Sequence, residues 1–306
     1  CFLLFFDSCS KISYFLILSQ YISRFLTFNF QFYRLKMFRK PELFPLGGRK
    51  MNRILSLVRR CVEDYEMIAP NDRIAVGVSG GKDSLMLLAA LAKLREFYPI
   101  PFQVEAFTLD MGHADGRPGM DFAPVAQLCR ELDVPFTLLE SEIHHIIFDV
   151  RREKNPCSMC AKMRRGALHS ALKERGLNKI ALGHHYDDAV ETFFLSLIFE
   201  GRLSCFQPVT WLDRTEITQI RPLLYCGENL IRHTAKRLDL PVVENPCPAN
   251  GNTKRQEIKE LIYELNGRYP GLKARAFGAM QRLPLPEWGP VEHRRRPLPE
   301  ELEDFQ

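Results

Sequence analysis

The chain has 306 residues, 46% of them hydrophobic and 26% charged, which is ordinary for a globular protein and enough for one large α/β domain with a full core plus appendages. Its net charge of +5 is only mildly basic, too little to decide for or against a polyanionic partner. Nine cysteines are an odd number for a disulfide framework, and a chain of this size does not need one.

The first 36 residues are crowded with Phe, Leu, Ile and Tyr and begin at Cys1. No alanine precedes Ala69, so a small-residue signal cleavage site is lacking. The longest uncharged run, Ile12 to Ser23, falls short of the roughly 20 apolar residues of a spanning helix. The segment reads as translated leader upstream of a start at Met37 or Met51, with a peripheral membrane anchor as the alternative.

From Met51 the pattern becomes regular. Ile54, Leu55, Val58, Val62 and Tyr65 recur at helical spacing, which predicts an amphipathic helix over Asn52 to Met67. Pro70-Asn71-Asp72 breaks it. Arg73 to Val78 is a short apolar strand, Leu85 to Leu94 a buried helix, and Val104 to Leu109 a second strand ending beside Asp110. Ala123 to Leu132 reads as a helix and Phe136 to Leu139 as a third strand. A helix from Cys157 to about Arg175, a strand over Lys179 to Leu182 and a helix over Asp187 to Ile198 follow. Further on come a strand at Thr218 to Arg221 and helices at Asn229 to Leu238 and Lys254 to Asn266. Beyond about Leu283 the chain is rich in Pro and charge, with Arg294, Arg295 and Arg296 in a basic cluster, and is expected to be disordered. Strands alternating with helices imply an α/β fold, a parallel sheet with helices on both faces, whose ligands sit at the carboxyl ends of the strands.

Two turns at that edge carry chemistry. Ser79-Gly80-Gly81-Lys82-Asp83-Ser84 follows a strand and opens a helix. Glycines let backbone approach a phosphate, the helix start offers free N–H groups, Ser79 and Ser84 add hydroxyls, and Lys82 adds charge. A Walker A loop is excluded, because Asp83 follows the lysine. Gly183-His184-His185-Tyr186-Asp187-Asp188 follows the fourth strand. Its paired carboxylates suit Mg²⁺ beside a triphosphate, and they suit a helix cap equally well. The histidines could donate to phosphate. Asp110 is either a further nucleotide contact or a turn cap.

Cys157-Ser158-Met159-Cys160 opens a helix after Pro156, a position that favours thiolate. Such a pair serves zinc sites, redox pairs and clusters alike. Cys61, Cys129, Cys205 and Cys226 read as small buried residues. Arg151, Arg152 and Lys154 precede the pair, Lys162, Arg164 and Arg165 follow it, and Lys254 and Arg255 follow Cys247. Together they form a cationic rim suited to RNA phosphates.

The SGGKDS loop resembles the PP-loop (N-type ATP pyrophosphatase, adenine nucleotide alpha-hydrolase-like) superfamily. CSMCAKMRRGAL (157–168), KIALGHHYDD (179–188), IRPLLY (220–225) and a late Pro-Cys before an Arg-Gln helix start resemble the tRNA 2-thiocytidine synthetase (TtcA) family in the same order. The similarity spans roughly Asn52 to Leu265. It implies ATP, Mg²⁺ and a [4Fe–4S] cluster as cofactors, with Cys157, Cys160 and Cys247 as cluster ligands and one iron left open for sulfur. It implies a tRNA sulfurtransferase that adenylates the C2 oxygen of an anticodon-loop cytidine and replaces it with sulfur, releasing pyrophosphate and AMP. Lys82, Asp83, Asp188, Cys157 and Cys160 would carry the chemistry. Ser79, Gly80, Gly81, Lys82, Asp83, Ser84, Asp110, Gly183, His184, His185 and Asp187 would hold the nucleotide. A cytoplasmic location, a tRNA partner, a sulfur donor such as a cysteine desulfurase and a homodimer fit the family; stable membrane association does not. In this reading residues 37–70 form an N-terminal helical segment, 71–283 the catalytic domain and 284–306 the tail. Three alternatives stand beside it. SGGxDS and GHHxDD also occur in the lysidine synthetases, and the Glu191-Thr192 pair resembles that group, the 2-thiocytidine synthetases being expected to carry Gln before the Thr. A zinc site would use the same cysteines, and a non-catalytic cluster- or zinc-binding RNA protein would keep the ATP site for regulation.

Overall fold

The computed structural model describes residues 49–112, 120–151, 156–243 and 254–282. The expected leader, the tail, Arg152, Lys154 and Cys247 lie outside the described residues, as does the side chain of Cys157.

The helix α1 (Arg49–Asp64) leads into β1 (Asp72–Gly77) and α2 (Lys82–Leu94), then β2 (Phe102–Leu109), α3 (Ala123–Glu131) and β3 (Phe136–Leu139). A single π-helical turn over His145–Val150 precedes α4 (Pro156–Glu174), β4 (Lys179–Ala181) and α5 (Tyr186–Leu195), which runs into a second π-helical turn at Ser196–Glu200. The hairpin β5 (Val209–Leu212) and β6 (Ile217–Ile220), then α6 (Glu228–Arg237), α7 (Lys254–Arg268) and α8 (Leu272–Arg282), complete the described chain.

The six strands lie in the order β3-β2-β1-β4-β6-β5. All adjacent pairs are parallel except β5–β6. The expected α/β architecture is therefore present, with an antiparallel edge strand added. Strand order reverses between β1 and β4, so the turns after these two strands border the crevice where open α/β sheets bind ligands.

The central strand β1 is apolar without alternation because both faces are covered. Ala75 faces one core with Phe107, Leu172, Leu177, Ile180 and Ile217. Ile74 and Val76 are also buried. Helix α2 is buried from Ser84 to Leu94 except at Lys93 and packs against α1 and α6. The final helix, α8, closes over this side. Phe277 is fully buried against the rings of Tyr186 (4.7 Å) and Tyr225 (6.2 Å). Gln281 Nε2 donates to Tyr65 and Tyr225, and Tyr225 in turn donates to the buried carboxylate of Asp64. No described helix is long and apolar enough to cross a membrane.

Candidate active site

The glycine loop is shaped from within. Gly80 has φ +82°, a left-handed conformation that a side chain would strain. Its carbonyl accepts from Val243 N–H at 3.0 Å. The Ser84 hydroxyl donates to Gly81 O and accepts from Ser79 N–H (3.1 Å), while Ser79 Oγ lies 3.2 Å away. The two serines thus brace the loop where it opens α2, and the start of a helix is where an anion is received.

The turn after β4 fits directly against this loop. A Cβ at Gly183 would lie 3.1 Å from Ser84 N and 3.2 Å from Asp83 C, so glycine is what allows the two backbones to touch. The next two residues part company. His185 is buried; its N–H donates to Asp188 Oδ2 and its Nδ1 accepts from Asp188 N–H, a reciprocal cap at the start of α5. Its Nε2 lies 3.4 Å from Asp188 and 3.8 Å from Asp83, between the two carboxylates. His184 instead packs on Phe206 at 4.8 Å, with its Nδ1 buried and without a partner. Burial, reinforced by the Arg221 guanidinium, lowers its pKa to about 4, so it is neutral at physiological pH.

The adjacent aspartates differ as well. Asp187 spends both oxygens: Oδ2 accepts from Glu228 N–H at 2.7 Å and Oδ1 from Lys273 at 2.9 Å. Asp188 is the more exposed, but its oxygens are engaged as well: Oδ2 accepts from His185 N–H and Oδ1 from Arg255, a half-exposed side chain that also donates to Thr192. Asp110 closes β2, where its carboxylate accepts from Gly112 N–H and its carbonyl from the Ser141 hydroxyl. Asp83 and Asp188 flank the mouth, and among the described residues no three His, Cys, Asp or Glu side chains are placed to hold a metal ion. Two carboxylates completed by phosphate oxygens and water are what Mg²⁺ takes.

Cys157 and Cys160 lie one turn apart at the start of α4, and Cys160 is half-buried. A cysteine pair spaced i, i+3 at a helix start is the sequence spacing that iron–sulfur clusters and zinc both use. Helix α4 packs on the first π-helical turn and on β2. Burial lowers the pKa of His144 and the charge of Arg164 on α4 adds to that effect, while a backbone hydrogen bond at Gly112 and the charge of Asp110 oppose it. Of the other cysteines, Cys61, Cys129 and Cys226 are buried as expected, while Cys205 is only partly so.

Glu228, Lys259 and Lys273 join this site without having stood out in the sequence. Lys82 reaches Asp83 (2.9 Å) and Glu228 (3.3 Å). Burial raises the Glu228 pKa, but hydrogen bonds from Lys259 and Arg232 and the charge of Lys82 outweigh it and hold the carboxyl at about 2. Glu191, by contrast, is raised to about 7 by burial and by Asp188, despite Arg255 at 3.8 Å. The signal available for Glu228 was topological: it opens the helix after β6, a third strand-to-helix junction on the same edge.

The pattern that defines the PP-loop domain matches residues 51–265. A tRNA-cytidine(32) 2-sulfurtransferase from Dechloromonas aromatica (strain RCB) is 36% identical over 226 residues, covering 73% of this chain and 77% of the relative. Its counterpart from Nitrosomonas eutropha is 37% identical over 249 residues, covering 81% and 78%. The chain belongs to the PP-loop tRNA-cytidine(32) 2-sulfurtransferase (TtcA) family. Among solved structures, the U34-tRNA thiolase NcsA from Methanococcus maripaludis, with its [4Fe-4S] cluster, superposes with a TM-score of 0.60 at 24% identity, covering 73% of this chain and 76% of that one. At that identity the likeness speaks for the fold: this TtcA-family chain and NcsA share one PP-loop architecture.

Proposed function

We propose that this chain is an ATP-dependent tRNA sulfurtransferase acting in the cytoplasm on a cytidine of the anticodon loop. The observation that carries the reading is the contact of the SGGKDS loop with the Gly183-His184-His185 turn at the point where strand order reverses. ATP lies with its phosphates against the N–H groups of residues 80–84, and Lys82 supplies positive charge. Asp83 and Asp188 are the oxygens for Mg²⁺, Arg255 giving way at Asp188. The cytidine C2 oxygen attacks the α-phosphorus, and pyrophosphate leaves with its own bridge intact. Sulfur then adds at C2, and AMP departs with the oxygen.

Cys157, Cys160 and Cys247 are the residues that would hold a [4Fe–4S] cluster, whose chemistry when bound is the supply of a sulfur atom from an iron that the protein leaves without a cysteine. The flanks of the stretch carrying Cys247 support this. Val243 is bonded to Gly80, and Arg255 to Asp188, so the chain enters and leaves that stretch at the nucleotide loops. Lys162, Arg164 and Arg165 extend the cationic surface along α4 for tRNA phosphates. A sulfur donor such as a cysteine desulfurase completes the reaction.

The test is anaerobic incubation of the reconstituted protein with ATP, sulfide and unmodified tRNA transcript, followed by nucleoside mass analysis. Formation of 2-thiocytidine with one AMP per thiolated base is expected. Lysidine in its place, or ATP cleavage with no sulfur in the RNA, would refute the reading.

A further inference from the structure

Glu228 is a partly buried carboxylate that neither the phosphate loop nor the cysteine pair explains. Its Oε1 accepts from Arg232 at 2.8 Å and faces Lys82 Nζ at 3.3 Å, while its Oε2 accepts from Lys259 at 2.7 Å. Its backbone is fixed independently: Glu228 N–H donates to Asp187, and Tyr186 N–H donates to Cys226 O, so the start of α6 is tied to the start of α5. If anchoring α6 were the whole task, these backbone bonds and the Arg232 pair one turn along would serve. The carboxylate instead reaches across to a lysine 146 positions earlier, on the phosphate loop.

A bare carboxylate beside a triphosphate site would repel the nucleotide. Here Lys82, Arg232 and Lys259 outnumber Glu228 and Asp83, so the cluster stays positive while Glu228 supplies a fixed direction. Lysine needs such an anchor: its ammonium rides on a flexible four-carbon stem, unlike the rigid arginine fork. Asp83, the other partner of Lys82, is its sequence neighbour and also faces His185, so it is the partner to be released when phosphate and Mg²⁺ arrive.

The geometry points to Glu228 as a positioning residue that holds the Lys82 ammonium at the mouth of the phosphate loop, with Lys259 and Arg232 as the cations that keep this carboxylate from opposing the incoming triphosphate. The assignment rests on the nucleotide-site reading above.

The test uses Glu228→Gln in the full chain, with two readouts. In the ATP-free protein, acetylation of Lys82 by an activated ester, followed by peptide mass analysis, accelerates by about threefold or more as the ammonium loses its anchor. In pyrophosphate release, kcat falls by about tenfold or more while KM for ATP does not rise, because a repelling charge has been removed as well as a positioning one. In a Lys82→Met background the same substitution changes kcat by less than about twofold. An unchanged Lys82 acetylation rate would overturn the assignment, as would an equal loss of kcat in the Lys82→Met background. Should the Gln variant not fold, Glu228→Asp keeps the charge and withdraws the carboxylate by one methylene; the same acceleration and loss are expected, and their absence overturns the proposal. A wild-type chain that neither binds nor cleaves ATP, yet whose Lys82 acetylation still responds to Glu228, would overturn the nucleotide-site reading and leave the Lys82–Glu228 link standing.

Discussion

Glu191→Gln should make the protein more stable above neutral pH, and the size follows from the site. The Glu191 side chain is 8% exposed, and burial together with the Asp188 charge lifts its ionisation from an ordinary 4.5 to about 7. Between those values the folded chain holds a proton that the unfolded chain has lost, so raising the pH through this window costs the folded state. The penalty is absent below pH 4.5 and complete above 7. At about 1.4 kcal/mol per pH unit the cost reaches about 3 kcal/mol, an upper bound because water can follow the charge. Glutamine keeps the shape and never ionises, and Arg255, 3.8 Å away, keeps its hydrogen bonds to Asp188 and Thr192; glutamine is also the residue expected before this threonine in 2-thiocytidine synthetases. Urea unfolding of wild type and Glu191→Gln at pH 4, 5, 6, 7 and 8 should give curves that nearly coincide at pH 4, differ by less than about 1 kcal/mol at pH 5 and separate by about 2–3 kcal/mol at pH 8. A difference that does not grow with pH, or a variant less stable at pH 8, would refute the argument and mean that Arg255 pairs with Glu191 strongly enough to offset burial.

Three other outcomes are expected. Gly183→Ala places a methyl against the backbone of Asp83 and Ser84, which cannot swing aside, so it should cost about 1–3 kcal/mol in urea unfolding and weaken ATP binding together. His184 is held neutral with a pKa near 4, below its ordinary 6.5. The unfolded chain therefore binds the extra proton first, and stability conferred at this position is lost as pH falls from 6.5 toward 4; His184→Gln should flatten that part of a stability–pH profile measured by urea unfolding. Anaerobically purified wild type should contain about four irons and four sulfides per chain, lost in Cys160→Ala and in Cys247→Ala. Stoichiometric zinc with no iron after reconstitution would rule out the cluster.

The architecture was legible because its signals are local. A both-faces-buried strand reads as an unbroken apolar run, and RIAVGV does so before the glycine loop. What escaped was β5 and α8. The β5 strand, Val209–Leu212, is an edge strand with Trp211 left exposed, so it shows neither a continuous apolar run nor a buried alternation. Helix α8 earns its place through Phe277 and Gln281, which meet Tyr186, Tyr225 and Tyr65, partners far away in sequence. No periodicity in LKARAFGAMQR announces that meeting.

The same division runs through the site. Groups that a backbone turn must carry, such as Ser79, Gly80 and Gly183, are dictated by strand, turn and helix in immediate succession and could be named from sequence. Groups that answer them electrostatically could not. Lys254 and Arg255 read as a rim for RNA, yet Arg255 turns inward to Asp188 and Thr192, and Lys254 lies over the Phe199 ring at 4.4 Å. Lys259 and Lys273 neutralise Glu228 and Asp187 from helices that begin more than 60 residues after the GHHYDD turn. A cation's sequence position says nothing about which carboxylate it will meet. A charge cluster near a phosphate site is therefore better read as a network to be assigned pair by pair than as a surface. Here that distinction takes Arg255 out of the rim read from sequence and pairs it with Asp188, the carboxylate proposed above for Mg²⁺.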